Sequence, residues 1–216
     1  MEETFTRSYH GLSFLTSKRT APTLAYIMGS EANKYRHLPV AGKHVLDIGG
    51  FIGDTTVLFH HWGARFVTVV EAVPENVALL QANLATHAVP HRLLQLFVGP
   101  EACTREVRYH TVKGSFGLEG SWTTRAPHVR TISVRPMAEM LALAGDYEVV
   151  KCDCEGGEAG FLTVPDDLLR RASAYLIEIH GAKLVREVTD RFASAGFAPT
   201  SYSGPRERNQ VVGFVR

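Results

Sequence analysis

One short stretch of the sequence constrains the fold more than any other. An apolar run from His44 to Ile48 leads into a turn rich in glycine, and a helix-like segment begins at Asp54. The next apolar run ends in an acid, Glu71. A strand, a glycine-rich turn, a helix and a second strand ending in an acid together outline a nucleotide-type ligand site in a doubly wound α/β domain.

The residues of that turn favour one class of ligand over another. A dinucleotide fingerprint, G-x-G-x-x-G, would need glycine at positions 48, 50 and 53, but position 48 is isoleucine. An acid, Asp47, stands instead at the end of the strand, just before Gly49. A carboxylate there would repel a pyrophosphate and attract an ammonium group. The turn therefore favours S-adenosylmethionine and disfavours a nicotinamide oxidoreductase.

The composition describes an ordinary globular chain. Its 216 residues are 45% hydrophobic and 21% charged, which suits one domain with a substantial core. A net charge of +1 gives no electrostatic footprint for duplex nucleic acid, so we consider a nucleic-acid partner disfavoured. No apolar run is long enough to span a bilayer, and three cysteines make no disulfide framework, so we expect a reduced, cytoplasmic setting.

Strand-like and helix-like segments alternate along the chain, which is typical of a parallel sheet with crossover helices. Residues 1–40 are predicted to form a helical lead-in that covers the substrate, with one helix over Pro22–Tyr35, and residues 41–216 the main domain. The expected strands are His44–Ile48, Arg65–Glu71, Leu93–Val98, Tyr147–Cys152, Ala174–Ile179, Phe197–Tyr202 and Val211–Val215. The last two predict an antiparallel C-terminal edge hairpin on a doubly wound, mostly parallel seven-stranded sheet.

Residues 101–135 interrupt this alternation. Two short β-like runs, Glu106–Thr111 and Val129–Val134, flank a polar segment from Lys113 to Thr124. A segment of this kind between sheet strands is more typical of a functional loop than of a separate domain. Ser115 and Trp122 within it are predicted to contact the substrate.

The predicted cofactor site follows from where the strands end. Open α/β sheets bind ligands at the carboxyl ends of their strands. Glycines in the turn let the backbone approach a ligand closely, and an acid at the position of Glu71 can accept two hydrogen bonds from ribose hydroxyls. The residues predicted to bind the cofactor are Asp47, Gly49, Gly50, Phe51, Gly53, Glu71, Ala72, Val98 and Asp153.

Four segments, in this order, resemble the FkbM family of methyltransferases. They are Val45–Asp54, Glu71–Asn76 with Leu79–Leu84, Lys151–Glu158 and Leu176–His180. The most specific is the third, which reads Lys-x-Asp-x-Glu-Gly-x-Glu. The resemblance implies a class I, Rossmann-like fold and S-adenosylmethionine-dependent methylation, mostly of hydroxyl oxygens.

Methylation of a hydroxyl requires a base, since the hydroxyl has to lose its proton. His180 follows the fifth strand and has the intrinsic pKa closest to neutrality. Asp153, which follows the fourth strand, is then expected to position the substrate or the methyl group, and the reverse assignment stays open. Glu155 and Glu158 stand at a helix start, where they either contact the substrate or cap the helix.

Three further residues concern metals and buried charge. Cys152 and Cys154 form only a C-x-C pair, which makes a poor zinc site, so no metal is expected. Magnesium held by Asp153 with Glu155 or Glu178 stays open as an alternative. Lys151 lies in a buried strand and needs a carboxylate partner, for which Asp153 and Glu178 are the candidates.

The sequence thus favours an enzyme that methylates a hydroxyl of a small molecule, a sugar or a secondary metabolite. Two alternatives stay open: a methyltransferase for RNA or protein, and a catalytically inactive cofactor-binding domain.

Overall fold

The computed structural model describes residues 3–109, 128–203 and 209–216, which form strands β1 to β12 and helices α1 to α7. The strands are β1 (Thr4–Tyr9), β2 (Leu12–Ser17), β3 (His44–Ile48), β4 (Phe66–Val70), β5 (His91–Leu94), β6 (Phe97–Gly99), β7 (Cys103–Tyr109), β8 (His128–Pro136), β9 (Val149–Cys152), β10 (Ala174–His180), β11 (Ala198–Ser203) and β12 (Asn209–Val215). The α-helices are α1 (Ala21–Tyr26), α2 (Ala32–Tyr35), α3 (Asp54–His61), α4 (Pro74–Thr86), α5 (Met137–Ala144), α6 (Asp166–Leu169) and α7 (Ala182–Ser194). None of the helices in these ranges is both long enough and apolar enough to cross a membrane.

Seven strands form the central sheet in the order β11-β12-β10-β9-β3-β4-β5. The strands from β10 to β5 pair in parallel, and β12 pairs antiparallel with both β10 and β11. The predicted mostly parallel sheet with an antiparallel C-terminal edge hairpin is therefore confirmed. The chain runs outward from β3 to β5 and then returns to β9 on the other side of β3, which creates the switch point where such sheets bind ligands.

Both faces of the sheet are covered, as buried parallel strands require. Because side chains alternate along a strand, Leu46 and Ile48 of β3 enter one core and Val45 enters the other. The first core is completed by α5, α7 and a 3-10 helix at Gly157–Thr163, and the second by α3, α4 and the N-terminal segment.

The predicted third strand, Leu93–Val98, is divided in two. Strand β5 ends at Leu94 in the central sheet, whereas β6 belongs to a separate three-stranded sheet with the order β6-β8-β7. Of the β-like runs predicted within residues 101–135, the described part of the first, residues 106–109, lies in β7, and the second lies in β8. The segment from Lys113 to Thr124, with Ser115 and Trp122, falls outside the described residues.

The predicted helical lead-in also contains two strands that the sequence did not predict, because β1 and β2 form an antiparallel hairpin. His10 and Gly11 connect the strands with φ angles of +51° and +78°, and two residues with positive φ make the tight turn that suits a hairpin. The predicted helix over residues 22–35 is divided by a π-helical turn, Ile27–Glu31, into α1 and α2.

Asn83 of α4 attaches this hairpin to the main domain. Its side-chain oxygen accepts a hydrogen bond from the Leu15 N–H at 2.6 Å, and its amide donates to the Leu15 carbonyl at 3.0 Å. The same amide donates to the carbonyl of Ile52 at 2.7 Å. One buried side chain therefore joins the lead-in to the turn that follows β3.

Candidate active site

A cavity opens at the carboxyl ends of β3, β4 and β9, with about 830 Å³ of space that is partly open to solvent. This edge of an open α/β sheet, outside the carboxyl ends of its strands, is where such sheets bind ligands. Of the residues predicted from the sequence, seven line it: Gly49, Phe51, Glu71, Ala72, Val98, Asp153 and Glu155. Asp47, Gly50, Gly53, Glu158 and His180 are not among its lining residues.

Asp47 is turned into the protein, where it pairs with Lys151. The two residues are register partners on β3 and β9, so their side chains lie on the same face of the sheet. Their charged atoms are 3.2 Å apart, and the side chains are 0% and 3% exposed. The hydroxyls of Thr55 and Thr56 each donate to the Asp47 carboxylate at 2.7 Å. The structure thus corrects the prediction that Asp47 faces a cofactor ammonium, since Lys151 already supplies one.

Lys151 also differs from its prediction, which gave it Asp153 or Glu178 as partner. Its ammonium donates to the Gly49 carbonyl at 2.7 Å in addition to pairing with Asp47. Burial alone would lower the pKa of Lys151, but Asp47 and the nearby carboxylates outweigh burial and raise it above its ordinary value. Lys151 therefore carries a fixed positive charge beneath the cavity.

The three glycines of the turn serve packing within the protein. A Cβ on Gly49, whose φ is +81°, would overlap the carbonyl oxygen of Asp153, and a Cβ on Gly50 would overlap the side chain of Val69. Gly53 has a φ of +86° and precedes α3 in a left-handed conformation. Gly50 and Gly53 were predicted to let the backbone approach the cofactor. In the structure they allow the tight connection between β3 and α3.

Glu71 lies at the cavity wall and holds two loops together. Its carboxylate accepts hydrogen bonds at 2.8 Å from the backbone N–H groups of Phe51 and Val73, and one at 3.4 Å from the Asn76 side chain. Burial raises its pKa to about 7, although these donors act in the opposite direction. Each carboxylate oxygen has two lone pairs, so the predicted bonds to ribose hydroxyls stay compatible with these contacts.

Asp54, which sequence reasoning did not select, is the first residue of α3 and lines the same cavity. It is 1% exposed, and neither carboxylate oxygen has a hydrogen-bond partner among the described residues. Burial raises its pKa to about 7, and the charge of Lys151 offsets only part of that effect. A buried acceptor without a donor is what a cavity for a cationic ligand such as S-adenosylmethionine requires.

Glu158 shapes the turn after β9 from inside the protein. It is fully buried, and its carboxylate accepts hydrogen bonds from the Cys154 N–H at 3.0 Å and the Gly156 N–H at 2.9 Å. It also faces the Nδ1 atom of His180 at 3.4 Å. The predicted contact of Glu158 with substrate is therefore replaced by the capping role that the sequence left open.

His180 and Glu155 lie side by side, with 3.6 Å between the imidazole Nε2 and a carboxylate oxygen of Glu155. Burial disfavours the imidazolium, but Glu158, Glu155 and Asp153 outweigh it and raise the pKa of His180 to about 9. Burial, and next the charge of Asp153, raise the pKa of Glu155 to about 7. A protonated imidazole has no free lone pair, so His180 would have to lose this proton before it could act as the predicted base.

Two trios of side chains could hold a metal ion by geometry. The ligand atoms of Asp153, Glu155 and His180 lie within 4.8 Å of one another, and so do those of Cys152, Cys154 and Glu158. In the first trio a protonated His180 would have to lose its proton before it could bind a metal. The absence of a metal stays a prediction from the sequence.

The N-terminal segment contributes Thr23, Ile27 and Tyr35 to the cavity wall. Lys34 ties this segment to the sheet through an ion pair with Glu178, in which the charged atoms are 2.8 Å apart. Burial, and next the charge of Asp153, raise the pKa of Tyr35 well above its ordinary value, so its hydroxyl keeps its proton. The sequence predicted a lead-in that covers the substrate, but it did not single out these three residues, because their positions depend on how α1 and α2 dock.

Comparison with protein families matches residues 47–199 to the methyltransferase FkbM domain. No curated protein matches the chain in sequence. Among solved structures, a methyltransferase-like protein, SMU.776, complexed with S-adenosylhomocysteine is 11% identical, with a TM-score of 0.58 over 100% of this chain and 57% of that one. The precorrin-6y C5,15-methyltransferase of Geobacter metallireducens is 12% identical, with a TM-score of 0.51 over 86% and 85%.

A third similar structure is the tRNA m1G37 methyltransferase of M. jannaschii. It is 10% identical, with a TM-score of 0.55 over 99% of this chain and 57% of that one. This chain thus spans little more than half the length of SMU.776 and of the tRNA enzyme. At these identities the likeness describes the fold.

Proposed function

Because the chain belongs to the FkbM methyltransferase family, whose methyl donor is S-adenosylmethionine, we propose that it methylates a hydroxyl oxygen of a small molecule. The observation that carries this proposal is Glu155, a carboxylate at the cavity wall with a pKa of about 7. A base whose pKa lies near the working pH is the most effective at taking a proton from a hydroxyl group.

The cavity offers separate surfaces for the cofactor and for the acceptor. Bound S-adenosylmethionine supplies an electrophilic methyl group on a sulfonium. Phe51, Glu71, Ala72 and Val98 would hold its adenosine part at the ends of β3, β4 and β6. Asp153 and Glu155 lie after β9, beside the N-terminal segment, and would face the acceptor.

In this proposal Glu155 takes over the role of base that the sequence assigned to His180. The backbone of Glu155 has a φ of +56°, which is uncommon for a residue other than glycine and costs of order 1–3 kcal/mol. Strain of this kind is concentrated at functional sites, because the surrounding structure has to maintain it. His180 is then a positioning residue, whose imidazolium holds the Glu155 carboxylate near Asp153.

The charge of the cavity supports a small, uncharged or cationic acceptor over RNA. Four of its lining residues are carboxylates, Asp54, Glu71, Asp153 and Glu155, and its lining lysine, Lys151, is paired with Asp47. RNA binding depends on cations that neutralise phosphates. The tRNA methyltransferase among the similar structures shares the fold alone, so it does not outweigh this argument.

The test is transfer of a labelled methyl group from S-adenosylmethionine to small-molecule, RNA and protein fractions of a cell extract. We expect label in the small-molecule fraction, and loss of that label with Glu155→Gln. Asp190→Asn, which removes the same charge from an exposed position on α7, is the matched control and should retain activity. Label found only in RNA or protein would overturn the choice of acceptor, and no label with any fraction would favour an inactive cofactor-binding domain.

A further inference from the structure

The Asp54 carboxylate lies at the cavity wall without a hydrogen-bond partner among the described residues. Asp54 begins α3 directly after the left-handed Gly53 and lines the cavity. Burial leaves it 1% exposed, and neither oxygen has a hydrogen-bond partner among the described residues. Burying an ionised carboxylate without a hydrogen-bond donor is costly. A ligand that brings N–H donors and a positive charge to Asp54 would remove this cost.

Lys151, the cation whose charge acts on Asp54, is engaged elsewhere. Lys151, the lysine that lines the cavity, gives its ammonium to Asp47 at 3.2 Å and to the carbonyl of Gly49 at 2.7 Å. The carboxylate that the sequence offered for an ammonium, Asp47, is thereby neutralised inside the protein. Asp54 is a buried carboxylate of the cavity wall that receives no hydrogen bond from the described residues.

We propose that Asp54 binds the α-ammonium group of the cofactor's methionine part. The inference rests on S-adenosylmethionine as the methyl donor. An ammonium group supplies three N–H donors together with a positive charge, and a hydrogen bond between charged groups is roughly twice as strong as a neutral one. The sulfonium has no N–H to donate, and the ribose hydroxyls are uncharged, so neither satisfies a buried carboxylate as well.

The role separates two acids near the glycine turn. Asp47 and its partner Lys151 stabilise the turn, whereas Asp54 binds the α-ammonium group of the methionine part. Glu71, which already accepts backbone hydrogen bonds at 2.8 Å from Phe51 and Val73, is left for the ribose. Each end of the cofactor would thus meet its own carboxylate.

Binding of two ligands by the full chain tests the proposal. S-adenosylhomocysteine carries the ammonium and lacks the sulfonium charge, and 5′-methylthioadenosine lacks the amino-acid part altogether. We expect Asp54→Asn to raise the Kd of S-adenosylhomocysteine by roughly 10-fold to 100-fold, the range of a lost charged hydrogen bond. The Kd of 5′-methylthioadenosine should stay close to that of the wild type. A loss for S-adenosylhomocysteine no larger than that for 5′-methylthioadenosine would overturn the proposal.

The stability of the ligand-free variant is a second readout. Because asparagine keeps the shape and removes an unpaired charge, Asp54→Asn at pH 8 should melt no lower than the wild type. A lower Tm, or failure to fold, would show that Asp54 has a structural partner and would contradict the role. Asp190→Asn should change neither ligand's Kd. The wild type's own affinity for S-adenosylhomocysteine tests the methyl donor separately, and none of these measurements depends on the acceptor.

Discussion

The Asp47 carboxylate and the Lys151 ammonium are ion-paired at 3.2 Å across neighbouring strands, with both side chains buried. The pair joins β3 to β9 at the switch point of the sheet, directly beneath the cavity. Because the pair holds β3 against β9, it also helps to position the residues at the carboxyl ends of these strands, including Gly49 and Asp153.

Removing one member of this pair should be far more damaging than removing both. Lys151→Met leaves the Asp47 charge buried without its partner, and we expect a loss of about 3–5 kcal/mol in the free energy of unfolding. Urea unfolding followed by circular dichroism measures it. In the double variant with Asp47→Asn, the threonine hydroxyls still find an acceptor, so the combined loss should be smaller than the sum of the single losses. Additive losses would show that the two charges do not depend on each other.

The pH dependence of turnover distinguishes the two candidate bases. A base acts only when deprotonated, so kcat/KM for the acceptor should rise with pH through an apparent pKa near that of the base. For Glu155 the rise is expected at about 7, and for His180 it would come at about 9. In Glu155→Gln the step near 7 should disappear and the rate should fall by roughly 10²-fold to 10⁴-fold. A single step near 9 in the wild type would restore His180 as the base.

Gly49 should tolerate no side chain, for a reason beyond its left-handed backbone. Gly49→Ala would place a Cβ against the Asp153 carbonyl, so we expect a loss of stability of about 4 kcal/mol or more. Gly196→Ala is the control, because Gly196 has a φ of +89° with open space around it. That variant should lose only the left-handed strain of about 1–2 kcal/mol. Thermal unfolding compares the two, and equal losses would mean that the close approach of Gly49 is unimportant.

Glu71 and His180 should separate binding from turnover. Glu71→Ala removes the acceptor for the ribose and for two backbone N–H groups, so the Kd of S-adenosylhomocysteine should rise by roughly 100-fold or more. His180→Ala should leave that Kd within a few fold and lower kcat, since His180 does not line the cavity. Calorimetric titration and steady-state kinetics measure these effects. An unchanged cofactor affinity in the Glu71 variant would contradict the site.

Much of the sheet could be predicted because its strands are strongly apolar and end in clear turns. Strand β3 begins and ends at the residues predicted for it. Pro74 fixes the start of α4, since proline suits the first turn of a helix. The N-terminal hairpin was missed because its two strands are short and mostly polar, and burial does not alternate regularly along either of them.

The partners of the site residues could not be predicted, because they depend on strand register and on docking. The sequence shows that Asp47 and Lys151 are each in a strand, but only the alignment of β3 with β9 brings them side by side. In the same way, the charge of His180 is set by Glu158, which folds back from a turn more than 20 residues earlier in the chain. Asp54 was overlooked because an acid at a helix start is usually explained by the helix dipole.

The residues that line the cavity from α1, α2 and the turn between them have an evolutionary consequence. Thr23, Ile27 and Tyr35 precede residue 47, where the match to the family begins, yet they face the same space as Asp153 and Glu155. Substitutions in this wall can therefore accumulate without altering any residue of the family match. Under the proposed function, exchanging the wall should alter acceptor preference and leave cofactor binding unchanged.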